Sequence, residues 1–202
     1  MPLESATGIF EALSYTWAPH APWKEIQCGS GTTLPVTSNL YDALVSLREP
    51  GIIAPYWIDQ ICINQRDVAE KGAQVRLMGQ IYAQAVRVKI WLSREIWQAE
   101  EDLDHFQAFA RFSYEALTRD VEQALREGKS DGSITEAGWQ AMFRLLQSNY
   151  FRRVWMIQEV VMSRECWVMA FGVALLWTGV VQVGLAFQNR LDAAYPVLLR
   201  EL

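Results

Sequence analysis

The sequence is short of the residues on which much enzyme chemistry depends. Histidine occurs only twice, as His20 and His105, which disfavours a Ser-His or Cys-His triad. Cysteine occurs three times, as Cys28, Cys62 and Cys166, and no two are spaced as CxxC. An odd, scattered set argues against a disulfide scaffold and against a zinc site, and for reduced thiols in an intracellular compartment. No GxxxxGK[ST] loop and no GxGxxG turn is present, so neither common phosphate cradle is available. Basic residues are outnumbered, 18 Lys and Arg against 23 Asp and Glu: the formal net charge is −5 and no basic patch stands out, which disfavours a nucleic-acid surface. Internal repeats and low-complexity tracts are lacking. Met1-Pro2-Leu3-Glu4-Ser5 lacks the basic stretch and apolar run of a signal peptide, so a cytoplasmic protein is expected. The last expected helix lies near the end of the chain, which fits a minimal protein or part of a longer one.

What is present is ordinary for a globular chain. Its 202 residues are 51% hydrophobic and 20% charged, enough for one domain over 1–202 with a real core. One segment tests that reading. Cys166 to Phe187 carries no charge, and a membrane helix needs about 20 such residues. Gly172, Thr178, Gly179, Gln182 and Gly184 interrupt it, however. A buried strand at Cys166–Phe171, a turn at Gly172 and an apolar helix from about Thr178 to Arg190 are expected instead, with no membrane span.

Taken in order, Phe10–Trp17 reads as a short strand ended by Pro19 and Pro22. Lys24–Cys28 and Thr33–Val36 flank Gly29-Ser30-Gly31 as a small hairpin. Thr37 or Ser38 caps a helix whose buried face is Leu40, Leu44 and Leu47, stopped by Pro50-Gly51. Pro55–Gln65 begins as a buried strand and leaves through polar residues. A helix follows from about Asp67 to Ala85, with Val75, Met78, Tyr82 and Ala85 on its inner face. Val86, Val88, Ile90 and Leu92 alternate with Arg87, Lys89 and Trp91 as a strand. Ile96–Arg126 keeps helical spacing, and Trp139, Met142, Phe143 and Leu146 belong to another helix. Strands alternating with helices predict an α/β domain with parallel pairing and right-handed crossovers. The simplest description is one domain with a helical insertion at about 94–148.

The chemistry centres on Phe151–Met162, which reads as a helix because it lacks Gly and Pro and follows Ser148-Asn149. Val154, Ile157 and Val161 form an apolar stripe. Trp155 and Glu159, four apart, share a neighbouring face, so a carboxylate stands one turn from a large ring. A lone Glu on a helix is usually a solvated surface residue. One flanked by Trp, Ile and Val can instead be held in a cleft, where a carboxylate does chemistry.

Three blocks together resemble the fungal heterokaryon-incompatibility (HET) domain. They are Ala12-Leu13-Ser14-Tyr15-Thr16-Trp17; Trp57-Ile58-Asp59-Gln60-Ile61-Cys62-Ile63-Asn64-Gln65, continued by Glu70, Gln74-Val75, Met78, Ile81-Tyr82 and Val88–Leu92; and Arg153–Glu159. The likeness spans about Tyr15 to Gly172. Ala18 and Ser93 depart from it, each standing where the family usually has Gly. The HET domain in turn resembles TIR domains. This implies a flavodoxin-like, doubly wound parallel sheet with its ligand site at the C-terminal strand edge. Leu13-Ser14-Tyr15 resembles the first TIR strand, and Trp155 with Glu159 resembles the W-x-x-x-E of NAD-cleaving TIR enzymes.

The resemblance implies NAD+ as substrate, with no cofactor and no metal. Cleaving the nicotinamide–ribose bond passes through an oxocarbenium-like transition state that a carboxylate stabilises, and nicotinamide leaves neutral, so no general acid is required. Glu159 is the expected catalytic residue. Ser14, Tyr15, Trp17, Asp59, Asn64, Arg153 and Trp155 are the expected substrate-binding set. Trp155 or Tyr15 would stack on the nicotinamide ring, and Ser14 and Tyr15 sit at a strand end suited to an open α/β site. Arg152 or Arg153 would bind phosphate, or serve only as a solvated helix start. Asn64 and Gln65 either line the pocket or cap the next helix. Trp57, Ile61 and Ile63 read as core, and Cys62 as a small buried residue. Expected partners are NAD+ or a related nucleotide, further copies of the same domain and an upstream sensor protein. A non-enzymatic self-association module of fungal innate immunity is the competing reading.

Overall fold

The computed structural model describes residues 8–17, 22–29, 31–48, 54–92, 104, 107, 144–170, 173–182 and 185. The chain divides into two compact units, residues 1–96 with 146–172, and residues 97–145 with 173–202.

The first unit is built on parallel strands. β1 (Glu11–Tyr15), β4 (Tyr56–Trp57), β5 (Val88–Trp91) and β6 (Cys166–Ala170) lie side by side in the order β4-β1-β5-β6. All three neighbouring pairs are parallel. Counted along the chain, the strands stand 2-1-3-4, so the sheet grows to one side of β1 and then to the other. The register pairs Ala12 with Trp57 and Val88, and Tyr15 with Trp91. β1 is thus an interior strand, and from Ala12 onward it is buried on both faces. That explains why Ser14 sits in the interior rather than on a polar face.

The hairpin forms as expected from β2 (Trp23–Cys28) and β3 (Thr32–Thr37), which pair antiparallel as a separate sheet. Gly29 and Gly31 turn it with φ of 54° and 90°, values that few other residues adopt. Helix α1 (Ser38–Ser46) follows, and Thr37 caps it by accepting from the Leu40 N–H at 3.4 Å. Leu40 and Ala43 pack with Leu13, Tyr15, Val36, Ile58 and Trp91 into the core cluster. Asn39 ties this helix to the strand ends, accepting from the Trp91 indole at 3.0 Å and donating to the Thr16 carbonyl at 2.7 Å.

The strand expected from Pro55 is only the two residues of β4, both half-buried, because the chain coils at once into a helical turn, α2 (Asp59–Cys62). Helix α3 (Val68–Gln84) is capped by Asp67, whose carboxylate accepts from the Ala69 and Glu70 N–H groups. Its buried residues are Met78, Gly79, Ile81 and Tyr82.

The stretch from residue 151 is not one helix. A 3-10 helix (Asn149–Arg152) ends at Arg153, whose extended backbone (φ −81°, ψ 130°) separates it from helix α4 (Val154–Val161). The expected apolar stripe faces outward: Val154, Ile157 and Val161 are 80%, 60% and 72% exposed. The helix instead buries Glu159 and packs against α3, where Gln158 lies so close to Gly79 that a Cβ there would collide with it.

The second unit carries β7 (Val173–Leu176), a strand where a turn was expected after Gly172. Val173-Ala174-Leu175-Leu176 is a short apolar run without alternation, which periodicity does not assign. Residues 177–182 are helical, in line with the last expected helix. The expected helices at Ile96–Arg126 and around Trp139, and the stop at Pro50-Gly51, lie outside the described residues but for 104, 107 and 144–146, which are helical. Among the described residues, no helix is long and apolar enough to cross a membrane.

Candidate functional site

Because β1, β4, β5 and β6 are parallel, their C-terminal ends share one edge, and each chain leaves the sheet there. After Tyr15 comes Trp17. After Trp57 comes α2, which opens with Asp59. A pocket of about 390 Å³ lies among these exits. The loop after β1 gives it Trp17, and the α2 segment gives Asp59, Ile63 and Gln65. One face of α3 gives Lys71, Val75 and Met78, and Arg153 and Trp155 close it from the start of α4.

Asp59 is fixed from several directions. Its Oδ2 accepts from the Trp17 indole at 2.8 Å and its Oδ1 from the Gln60 N–H at 2.7 Å. Gln65 donates to the Asp59 carbonyl at 2.8 Å. Burial pushes the Asp59 carboxyl above its ordinary range, although the Trp17, Gln60 and Tyr15 hydrogen bonds and the Arg153 charge oppose it.

Behind the pocket lies a second polar cluster with almost no solvent access. Ser14 and Glu159 are each 1% exposed. The Ser14 hydroxyl donates to Glu159 Oε2 in a short hydrogen bond and lies 2.6 Å from the Tyr150 hydroxyl. Arg153 Nη2 donates to Glu159 Oε1 at 3.2 Å, and its guanidinium sits 5.5 Å from the centre of the Tyr150 ring. Burial raises the Glu159 pKa, and the Asp59 charge adds to the rise, while Arg153 and Ser14 pull it down. Tyr150 is raised too, by burial and then by the Glu159 charge. Arg153 belongs to both groups: it lines the pocket, holds Glu159, and keeps Nη1 without a hydrogen-bond partner.

Of the residues expected at the site, Trp17, Asp59, Arg153 and Trp155 line this pocket. Glu159 and Ser14 lie in the cluster behind it. Tyr15 is buried in the core, its hydroxyl 3.5 Å from Gln60 Oε1. Asn64 is exposed and structures the approach to α3: its Oδ1 accepts from the Arg66 N–H, and its own N–H donates to Glu70. The cap of α3 itself is Asp67, and Gln65 faces the pocket. Arg152 is exposed. Cys62, the last residue of α2, is exposed rather than buried, while its Sγ accepts from the Ile58 N–H at 3.5 Å and desolvation raises the thiol pKa, which leaves it a poor nucleophile. Ile63 is buried, while Trp57 and Ile61 are half-buried.

Sequence reasoning missed Lys71 and Tyr150. The spacing of Lys71, Val75 and Met78 along one helical face was a usable sign for the first. Nothing local marks Tyr150. Among the described residues, no three His, Cys, Asp or Glu side chains gather to hold a metal.

A parallel sheet with an indole-lined pocket of mixed apolar and charged side chains at its C-terminal edge defines the class: an α/β domain with a ligand-sized cleft where its strands end. The chain belongs to the heterokaryon incompatibility (HET) protein family, whose sequence profile matches residues 10–159. It is 30% identical over 189 residues to "Heterokaryon incompatibility protein 6, OR allele" of Neurospora crassa, a match covering 76% of this chain and 27% of that protein. The chain therefore corresponds to well under half of that relative. No solved structure matches it.

Proposed function

We propose that this HET domain is a TIR-like, flavodoxin-like domain that hydrolyses NAD+ to nicotinamide and ADP-ribose on self-association, in a heterokaryon-incompatibility cell-death response. The observation that carries the reading is the content of one pocket: two indoles, a guanidinium, an ammonium and a carboxylate. Trp17 and Trp155 offer flat surfaces for a cationic pyridine ring or an adenine. Arg153 and Lys71 offer charge for a diphosphate. The 2-1-3-4 strand order supports the placement, since open α/β sheets bind ligands at the C-terminal edge where the order reverses.

In the reaction, the C1′–N bond breaks and its electron pair goes to the pyridine nitrogen, which becomes neutral. Positive charge grows on the ribose, where a carboxylate stabilises it. Water then bonds to C1′ and gives up a proton.

The burial of Glu159 favours a second reading. Each of its oxygens is already engaged, by Ser14 and Arg153, as in a structural ion pair. On that reading the domain is a non-enzymatic signalling module.

NAD+ loss and nicotinamide release by the purified protein, followed over rising protein concentration, separate the two. The enzymatic reading expects equimolar nicotinamide and a specific activity that climbs with concentration. No NAD+ loss by folded protein at high concentration would overturn it.

A further inference from the structure

We infer that Asp59, rather than Glu159, is the carboxylate that a nucleotide in this pocket touches, and that Glu159 acts on the ligand only by positioning Arg153. The inference rests on the nucleotide reading above and assigns the roles within it.

Both carboxylates feel the charge of the Arg153 guanidinium, but only Glu159 is hydrogen-bonded to it. Asp59 lines the cavity and Glu159 does not. Glu159 is 1% exposed, and its oxygens point to Ser14 and to Arg153 Nη2. A ligand could reach it only after Arg153 had left, and that would strand a buried charge. Asp59 also accepts one hydrogen bond on each oxygen, from Trp17 and Gln60. A carboxylate has about four acceptor sites, and with the Tyr15 hydroxyl also hydrogen-bonded to it at least one remains for a ligand hydroxyl. The Trp17 and Gln60 donors are fixed, one by the indole ring and the other by the helical turn. The carboxylate is therefore aimed rather than loose, as electrostatic stabilisation of a growing charge requires.

The geometry gives each group a task. Asp59 receives the ribose hydroxyls and faces the cation that forms at C1′. Its raised proton affinity also suits it to take the proton that the attacking water releases. Arg153, held from behind by Glu159, lines the same cavity and offers its positive charge to phosphate. Glu159 is thus a positioning residue, and its loss should disturb binding before it disturbs bond cleavage.

The test pairs Asp59→Asn with Glu159→Gln in the full chain, with two readouts. One is binding of ADP-ribose, which has no bond to cleave, followed by indole fluorescence and calorimetry. The other is kcat and KM for NAD+. Asp59→Asn is expected to weaken ADP-ribose by about tenfold and to lower kcat by about 100-fold. Glu159→Gln is expected to raise KM while keeping kcat within about tenfold of the parent. Unchanged binding and kcat in Asp59→Asn, with kcat collapsing in Glu159→Gln, would overturn the inference. If the parent binds ADP-ribose but turns over no NAD+, the enzymatic reading fails alone, and weakened binding in Asp59→Asn still supports the contact. If the parent binds no ADP-ribose, both fall. Should Asp59→Asn fail to fold, Asp59→Glu takes its place. It keeps the charge but displaces it by a methylene, and parental affinity and kcat in that variant would overturn the inference.

Discussion

Ser14 and Glu159, 145 positions apart, are joined by a hydrogen bond from the serine hydroxyl to Oε2 inside a cluster closed to solvent. The serine stands on the interior strand β1 and the glutamate on the helix that follows the Arg153 break. The bond therefore fixes where that helix sits against the sheet. Ser14→Ala leaves Glu159 Oε2 and the Tyr150 hydroxyl each short of a partner. Stranding buried polar atoms costs about 1–3 kcal/mol. For a chain of this size the melting temperature should fall by about 2–4 °C for each kcal/mol. Urea unfolding and a thermal scan check both figures, and an unchanged midpoint would refute the bond's structural role.

The pairing of Arg153 with Glu159 should be strongly non-additive. Arg153→Met leaves a carboxylate buried without its countercharge, at a cost of about 3–5 kcal/mol. Adding Glu159→Gln to that variant removes the stranded charge. The double variant is expected to lose clearly less than the sum of the single losses, and a double-mutant cycle measures the difference. Simple additivity would mean that the two side chains do not interact in solution.

Stability should depend on pH in a way that Glu159 controls. Burial raises its folded pKa above the ordinary 4.5. From 4.5 up to the folded value, the folded chain holds more protons than the unfolded chain. Stability therefore declines as pH rises through that window and levels off above it. Glu159→Gln removes this contribution, so the parent should lose stability relative to the variant as pH climbs from about 4.5 toward neutrality. Asp59, also raised, gives the same sign from its ordinary 3.8 upward. Glu11 gives the opposite sign. Burial works to raise it, but the hydrogen bonds from Lys89 and Tyr56 and the charges of Lys89 and Arg87 outweigh burial and hold it low. Comparing parent and variant cancels that background. A parent that gains on the variant with rising pH would show that the folded pKa of Glu159 lies below 4.5.

The outer stripe of α4 should tolerate polar residues. Val154→Gln, Ile157→Gln and Val161→Gln, made singly, are each expected to shift stability by less than about 0.5 kcal/mol, because these side chains are exposed. A loss near 2 kcal/mol in any of them would restore the buried stripe that periodicity suggests.

That stripe shows where sequence reading stops. β1, the hairpin, the Thr37 cap, α3, β5 and β6 were legible, because alternation, glycine turns and capping residues are local signals. Helix α4 gave no usable direction. It is apolar nearly all round, with Glu159 as its one charged residue, so no polar face marks the side that meets solvent. The protein turns the carboxylate inward, and the reason lies on β1, where Ser14 waits with a hydroxyl. The break at Arg153 was equally hidden, since neither Gly nor Pro announces it. At the pocket, the aromatic and charged residues of the recurring blocks were visible in the sequence. Which of the two carboxylates lines the cavity was not, because that depends on where Arg153 rests.

The long span between Ser14 and Glu159 also has a consequence during synthesis. A ribosome completes β1 well before it reaches α4, so the hydroxyl on that strand must wait for a partner that has not been made. Neither the cluster nor Arg153's side of the pocket can form on a nascent chain that stops short of residue 159. Truncated translation products would carry the sheet's first strands without the buried cluster and without the full lining of the pocket.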